Sequence, residues 1–226
     1  MCIRDSLYYE LHNFYQNHRL YVKSRSFDQL RGDKLQGSKI DRCDPITKNR
    51  DLEVEYSHWG HLLDPNGHAN PCGIAAKSIF NDEFTLLGPN GPVSIDNEQL
   101  TWDSDFDYMY SRSKDYQEDQ WLDVEDERFA VWMKIAVHPS FRKLWGVINS
   151  DLDKGDYVLT VRNNSDVGKW DGEKHFALTE ANSLGGRNVV LGAVLVTGGM
   201  ISAIVAVAAC ILSVTVKIDP SDIKWK

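Results

Sequence analysis

Apolar and polar positions divide this chain into two parts. From 189 to 216 the sequence VVLGAVLVTGGMISAIVAVAACILSVTV holds no charged residue. At ~1.5 Å per residue a helix of that length exceeds the ~30 Å hydrocarbon core of a bilayer, so a transmembrane helix, spanning with tilt, is expected. The polar stretch KIDPSDIKWK follows it. A lipid-anchor signal would finish in its apolar tail, and a secretory signal would stand at the other end of the chain. Within the run Gly198, Ser202, Ala206 and Cys210 recur at four-residue steps, with Gly199 and Ala203 alongside. On a helix they share a face that predicts close approach of a second helix, the alternative being small residues turned to lipid.

Ahead of the run the periods are shorter. Residues 7–11, LYYEL, suit a strand. Asn13 followed by Gln16 has the spacing of a capping box, which predicts a helix through Arg25 with Phe14, His18, Tyr21 and Val22 on one face. That face is expected to pack in the core, a ligand site being the alternative. Residues 26–70 are polar and rich in turn formers, hence long loops with at most short strands. Gly88, Pro89, Gly91 and Pro92 mark a turn between short strands. Residues 129–148 fit a helix through Phe129, Trp132, Met133 and Ala136, and equally a buried strand broken at Pro139; period alone leaves both open. YVLTV at 157–161 alternates as a strand should, and a further strand is expected at 175–179. The sum is a mainly β, α+β domain, with sandwich-like antiparallel sheets, short helices and long loops, followed by one C-terminal transmembrane helix.

Composition narrows the function classes. With 226 residues, 42% of them apolar, and a net charge of −8, the part ahead of the helix is one globular domain with a real core. The acidic balance argues against a nucleic-acid partner, which needs clustered Lys and Arg. Asp103, Asp105 and Asp107 begin like a calcium loop, but Tyr108 stands where the loop needs Gly and Lys114 where it needs Glu. A solvated acidic loop is expected there. His58, His61 and His68 lack a paired carboxylate or cysteine at ligand spacing, so they read as exposed loop histidines, and neither a metal nor a cofactor is expected. No nucleophile elbow or phosphate-binding loop is present, and no catalytic residue is assigned.

Of four cysteines, Cys210 lies in the apolar run and Cys2 in MCIRDS, which reads as a truncated or non-native start. Cys43 and Cys72 then form either a natural pair or two unlinked buried thiols. A bridge would mean an oxidising compartment, and the sequon Asn163-Asn164-Ser165 falls on the same side of the apolar run. Orientation stays open, because Lys169, Lys174 and Arg187 before the run balance Lys217, Lys224 and Lys226 after it.

Four blocks then carry a resemblance: NFYQNHRLYVKSR (13–25), NPCGIAAKSIFNDEF (70–84), FAVWMKIAVHPSFRKL (129–144), and GGRN (185–188) before the apolar run. Together they resemble the cell-division-control-protein-fifty, or ligand-effect modulator, family of accessory (beta) subunits of phospholipid flippases, the type-four P-type ATPases. The resemblance implies a non-catalytic subunit that binds the pump and supports its exit from the endoplasmic reticulum and its transport of aminophospholipid to the cytosolic leaflet. It makes residues 7–188 exoplasmic, 189–216 the second of two membrane helices and 217–226 a cytosolic tail, in a membrane of the secretory pathway. It makes Cys43 and Cys72 a disulfide, with Cys72 in the family's PCG motif, and Asn163 a glycosylation position shifted by a few residues. It offers Asn13, Phe14, Tyr15, Gln16, Asn17, His18, Arg19, Tyr21 and Arg25 as partner contacts, while the packing face of the membrane helix, Gly198, Gly199, Ser202, Ala203 and Ala206, rests on the spacing of its small residues. The partners implied are a type-four P-type ATPase and membrane phospholipid. The pump's phosphate-accepting motif DKTGT is absent from this sequence, so ATP chemistry belongs to the partner. The chain resembles about the last two thirds of a member, the first membrane helix falling ahead of Leu7. It departs from the family in the long loop at 44–69 and in lacking Tyr-Pro before Val167. Rival readings are a single-pass receptor or adhesion ectodomain and a lumenal hydrolase.

Overall fold

The computed structural model describes residues 4–34, 42–182, 185–186 and 189–215. Two compact units divide at Glu180/Ala181. In the first, alternation of apolar residues makes the central strand. β1 (Arg4–His12) buries Leu7, Tyr9 and Leu11 on one face. It pairs antiparallel with β4 (Phe141–Ile148), from Asp5 opposite Ile148 to Leu11 opposite Phe141, with a bulge between Leu7 and Tyr8. β6 (Glu173–Asn182) flanks its other edge, giving the order β4-β1-β6.

A second sheet has the order β3-β2-β5. β2 (Glu83–Gly88) and β3 (Gly91–Val93) form the hairpin that the Gly-Pro punctuation predicts, closing at Gly88 opposite Gly91. β5 (Val158–Arg162) pairs antiparallel with β2 along its free edge. Phe84 and Leu86 are buried on β2 while Glu83, Thr85 and Leu87 are exposed. The inward Phe84 ring meets Trp145 of β4 and Phe176 of β6, with centroids 4.9 and 5.4 Å apart. Two antiparallel sheets sharing one aromatic core is the sandwich-like, α+β arrangement expected.

The helices are short, namely α1 (Arg19–Lys23), α2 (Phe27–Leu30), α3 (Ile74–Lys77), α4 (Asp103–Tyr108), α5 (Tyr116–Asp119) and α6 (Glu127–Met133). Three expectations are corrected. Residues 26–70 are not loops and strands alone, since Ser26 accepts the Gln29 amide at 3.3 Å and so caps α2. Residues 13–18 are not helical: Asn13 has φ 61°, α1 begins only at Arg19, and His18 caps it by accepting from the Leu20 amide. Asn13 is therefore no N-cap, because its left-handed backbone turns the chain out of β1. The acidic segment is not a loop throughout; residues 103–108 form α4, whose Asp105 carboxylate accepts from the Trp102 amide at 3.5 Å. Residues 129–148 divide between the two readings left open, helix through Met133 and strand from Phe141.

Lys143 links those two elements. It sits on β4, opposite Tyr9, yet is only 7% exposed. Its ammonium donates to the carbonyls of Val131 at 3.0 Å and Trp132 at 2.8 Å, and to that of Lys134. A cation thus satisfies the orphan acceptors at the end of α6, where the helix dipole is negative. Burial, with Lys134 nearby, pulls its pKa down to about 7. An unfolded lysine keeps its proton to about pH 10, so between those values unfolding takes up a proton. Stability should accordingly rise from pH 7 to pH 9, and Lys143→Met should flatten that slope while costing about 3 kcal/mol at pH 7 from the stranded carbonyls. Denaturant midpoints of both proteins at the two pH values measure this.

The second unit contains α7 (Val189–Thr215), of which Val189–Ser213 is long and apolar enough to cross a membrane. Just before it, Ala181 and Asn182 pair with Gly186 and Gly185 of a two-residue strand, β7 (Gly185–Gly186). Arg187, Asn188 and the expected tail at 217–226 lie outside the described residues.

Candidate functional site

The three blocks ahead of α7 meet in one joint. Phe14 anchors it: its amide donates to Pro139 O at 3.0 Å, and its ring meets Tyr21, Trp132, Phe141 and Trp170 at 5.1–6.2 Å between centroids. Gln16 is fully buried and accepts the Ala136 amide at 2.9 Å, while its own amide donates to Trp132 O at 3.5 Å. Tyr21, buried, shares a 2.8 Å hydrogen bond with Ser78, and its pKa is pushed up to about 12 by desolvation. Arg25 donates to Met133 O at 3.2 Å. Trp132 completes the joint by donating to Ala75 O at 2.8 Å.

A second knot fastens the joint to the disulfide. Cys43 and Cys72 are bonded and fully buried, their Cα atoms 5.6 Å apart. Ser24 donates to Cys43 O and accepts from the Ile74 amide, at 3.1 and 2.9 Å. Gln29 accepts the Cys72 amide at 2.9 Å and donates to Ala69 O at 2.8 Å. The buried side chains of Ser24 and Gln29 thus each both donate and accept, as burial demands.

The expected contact residues therefore split by orientation. Phe14, Gln16 and Tyr21 point inward and Arg25 is half-buried. Asn13, Tyr15, Asn17, His18 and Arg19 are exposed. Asn13 spends its amide on Trp170 O and Asp171 O at 3.0 and 3.2 Å, and Asn17 on Val137 O at 2.7 Å. That last bond holds Val137, 73% exposed, against Asn17; Tyr15 is 55% exposed, and Leu20, on α1, 62%. Leu20 and Val137 were not legible as surface positions, because an apolar residue in an apolar run reads as core.

Asn163 sits exposed just beyond β5. Lys174 donates to its side-chain oxygen at 2.6 Å and to Ser165 O at 2.7 Å, and pairs with the buried carboxylate of Asp82. The same carboxylate accepts the amides of Asn164 at 2.8 Å and Ser165 at 2.6 Å. Sequence gave no signal for Asp82, which stands within an ordinary polar run. His58, His61 and His68 are exposed. Among the described residues no group of three or more His, Cys, Asp or Glu could hold a metal ion.

On α7, Gly198, Gly199, Ser202, Ala203 and Ala206 are exposed in the chain. Ser202 returns its hydroxyl to Gly198 O at 2.9 Å, which leaves the face without an unsatisfied donor. Beyond its chain neighbours and the helix's own backbone, a Cβ added at Gly198 or Gly199 would have no atom within 4 Å among the described residues.

Comparison with known proteins gives one pattern. The chain is 35% identical to ALA-interacting subunit 3 of Arabidopsis thaliana, over 97% of this chain and 63% of that protein. It is 31% identical to Cell cycle control protein 50A of Mus musculus, over 92% and 64%. It is 32% identical to the Phospholipid-transporting ATPase accessory subunit CRF1 of Saccharomyces cerevisiae, over 86% and 52%. The chain thus spans between half and two thirds of the length of these relatives. A family model matches residues 5–219, a span that holds the joint, the disulfide and α7 together, and the chain belongs to the LEM3 (ligand-effect modulator 3) / CDC50 family.

Proposed function

We propose that this chain is a non-catalytic accessory subunit of a phospholipid-translocating type-four P-type ATPase, needed for that pump's exit from the endoplasmic reticulum, its stability and its cycle. The observation that carries this reading is the family match through residues 5–219, with relatives named as accessory subunits of phospholipid-transporting ATPases. The Cys43–Cys72 bridge and the exposed sequon at Asn163 favour an exoplasmic place for the first unit. The tail after α7 is then cytosolic, in a membrane of the secretory pathway.

On this reading the joint shapes the domain and the outward residues of the same block meet the pump. Tyr15, Asn17, His18, Arg19, Leu20 and Val137 form that contact, with Phe14, Gln16, Tyr21 and Arg25 holding it in place. Coupling to the cycle requires that the contact favour some pump conformations over others. Cells deprived of the gene should lose uptake of fluorescent phosphatidylserine and recover it on re-expression. Unchanged uptake would contradict the proposal.

The small-residue face of α7 supplies the membrane half of the contact, since backbones approach closely only where side chains are small. Gly198→Leu combined with Ser202→Leu should leave the exodomain folded and reduce recovery of the pump with this chain at least about tenfold, equivalent to ~1.4 kcal/mol. Quantitative co-purification from detergent reads it, and undiminished recovery would remove α7's small face from the interface.

A further inference from the structure

A groove of about 260 Å³ opens beside α1 and α2, below the size of a pocket for a drug-sized ligand. Lys23, Arg25 and Arg42 line it together with Phe27 and one carboxylate, Asp28. Three cations against one acid is the reverse of the chain's balance, which is −8 overall. Among the described residues, no ion pair joins any of the three cations to a carboxylate.

Arg25 carries the argument furthest. Its guanidinium lies 4.6 Å over the Phe27 ring and donates through one nitrogen to Met133 O at 3.2 Å, while its Nε is buried with no acceptor. A half-buried cation with an orphan donor and, among the described residues, no ion-paired carboxylate is costly unless something supplies the missing negative charge. Burial indeed lowers its pKa, and no carboxylate opposes that shift. Lys23 and Arg42 are both exposed at the rim, so their charges can close on a small anion from outside.

We infer that this groove is an anion site that takes a phosphate-type group, with Lys23 and Arg42 contacting its oxygens and Arg25 supplying a fixed positive charge behind them. Guanidinium and ammonium groups bind such oxygens by charge-assisted hydrogen bonds, and Arg does so in a planar fork. Free phosphate and a phospholipid headgroup share this chemistry. The site stands independently of the accessory-subunit reading.

The test uses the full chain in detergent titrated with inorganic phosphate, and in nanodiscs of phosphatidylcholine with or without phosphatidylserine, following the thermal midpoint. Phosphate should raise the midpoint above that in chloride of equal ionic strength. Lys23→Ala with Arg42→Ala, two exposed positions, should raise the half-maximal phosphate concentration at least about tenfold. A shift with phosphatidylserine alone, lost in the double variant, assigns the group to a lipid headgroup; a shift with inorganic phosphate assigns a free anion as sufficient. No shift with either probe, or an equal response from the double variant, overturns the site.

Discussion

Gly73→Ala should prevent the first unit from folding. Gly73 has φ +102°, and a Cβ placed there would lie 2.0 Å from Ser24 O and 2.5 Å from its carbonyl carbon. Both atoms are backbone, and Ser24 is itself tied to Cys43 and Ile74, so nothing at the contact can swing aside. The Gly73 amide also donates to Ile46 O at 2.9 Å, which fixes it from the other direction. We expect a loss of at least about 4 kcal/mol, at the extreme of single substitutions. Gly60→Ala is the control: its φ is +83° but nothing lies within 4 Å of the new Cβ, so only left-handed strain of about 1 kcal/mol applies. Denaturant unfolding of both variants separates steric closure from backbone strain. Equal losses would show that the Ser24 approach is looser than described.

Asp82→Ala should be nearly as damaging. The Asp82 side chain is 1% exposed, and it is the acceptor for the Lys174 ammonium and for two backbone amides after β5. Removing it strands a cation that is itself only 19% exposed, at a cost of about 3–5 kcal/mol. Asp82→Asn keeps a carbonyl for the amides and should cost less. Asp82→Ala with Lys174→Met should recover part of the loss, because the unpaired charge goes with the lysine. Thermal midpoints of the wild type, Asp82→Ala, Lys174→Met and the double variant measure this coupling, and strictly additive losses would contradict a cooperative pair. The same loop carries Asn163, so a lower yield of any glycan there should accompany Asp82→Ala.

Much of this fold was legible because its periods are simple. Alternation at 7–11 and 157–161 became β1 and β5, the Gly-Pro punctuation at 88–92 became the β2–β3 turn, and the uncharged run became α7. The failures have a common physical source. Asn13 and Gln16 stand at capping-box spacing, but Gln16 reaches residues 132 and 136, over a hundred positions away. A tertiary acceptor outbid the local one, and no window of local sequence contains it. Lys143 shows the same effect: on β4 a lysine reads as outward, until the end of α6 offers its carbonyls. The α4 segment was read by charge as a loop, whereas its acids lie at a helix start, where they are favourable.

The family blocks were recognisable from sequence as text but not as a surface. Their inward residues, Phe14, Gln16, Tyr21, Ser24, Gly73 and Trp132, build one joint. The specificity of the pattern is thus first a specificity of folding. On the proposed function, contact with a partner falls to the residues between them, Tyr15, Asn17, His18, Arg19 and Leu20, together with Val137, which lies far off in sequence.

The central claim is that this chain serves as the accessory subunit of a lipid pump. Its most direct test is to purify the tagged full-length gene product from its own membranes in mild detergent and identify what comes with it. The account predicts a type-four P-type ATPase in near-equal amount, reduced when Tyr15, Arg19 and Leu20 are replaced by Ala without loss of the first unit's thermal midpoint. Recovery of the folded chain with no P-type ATPase would contradict it.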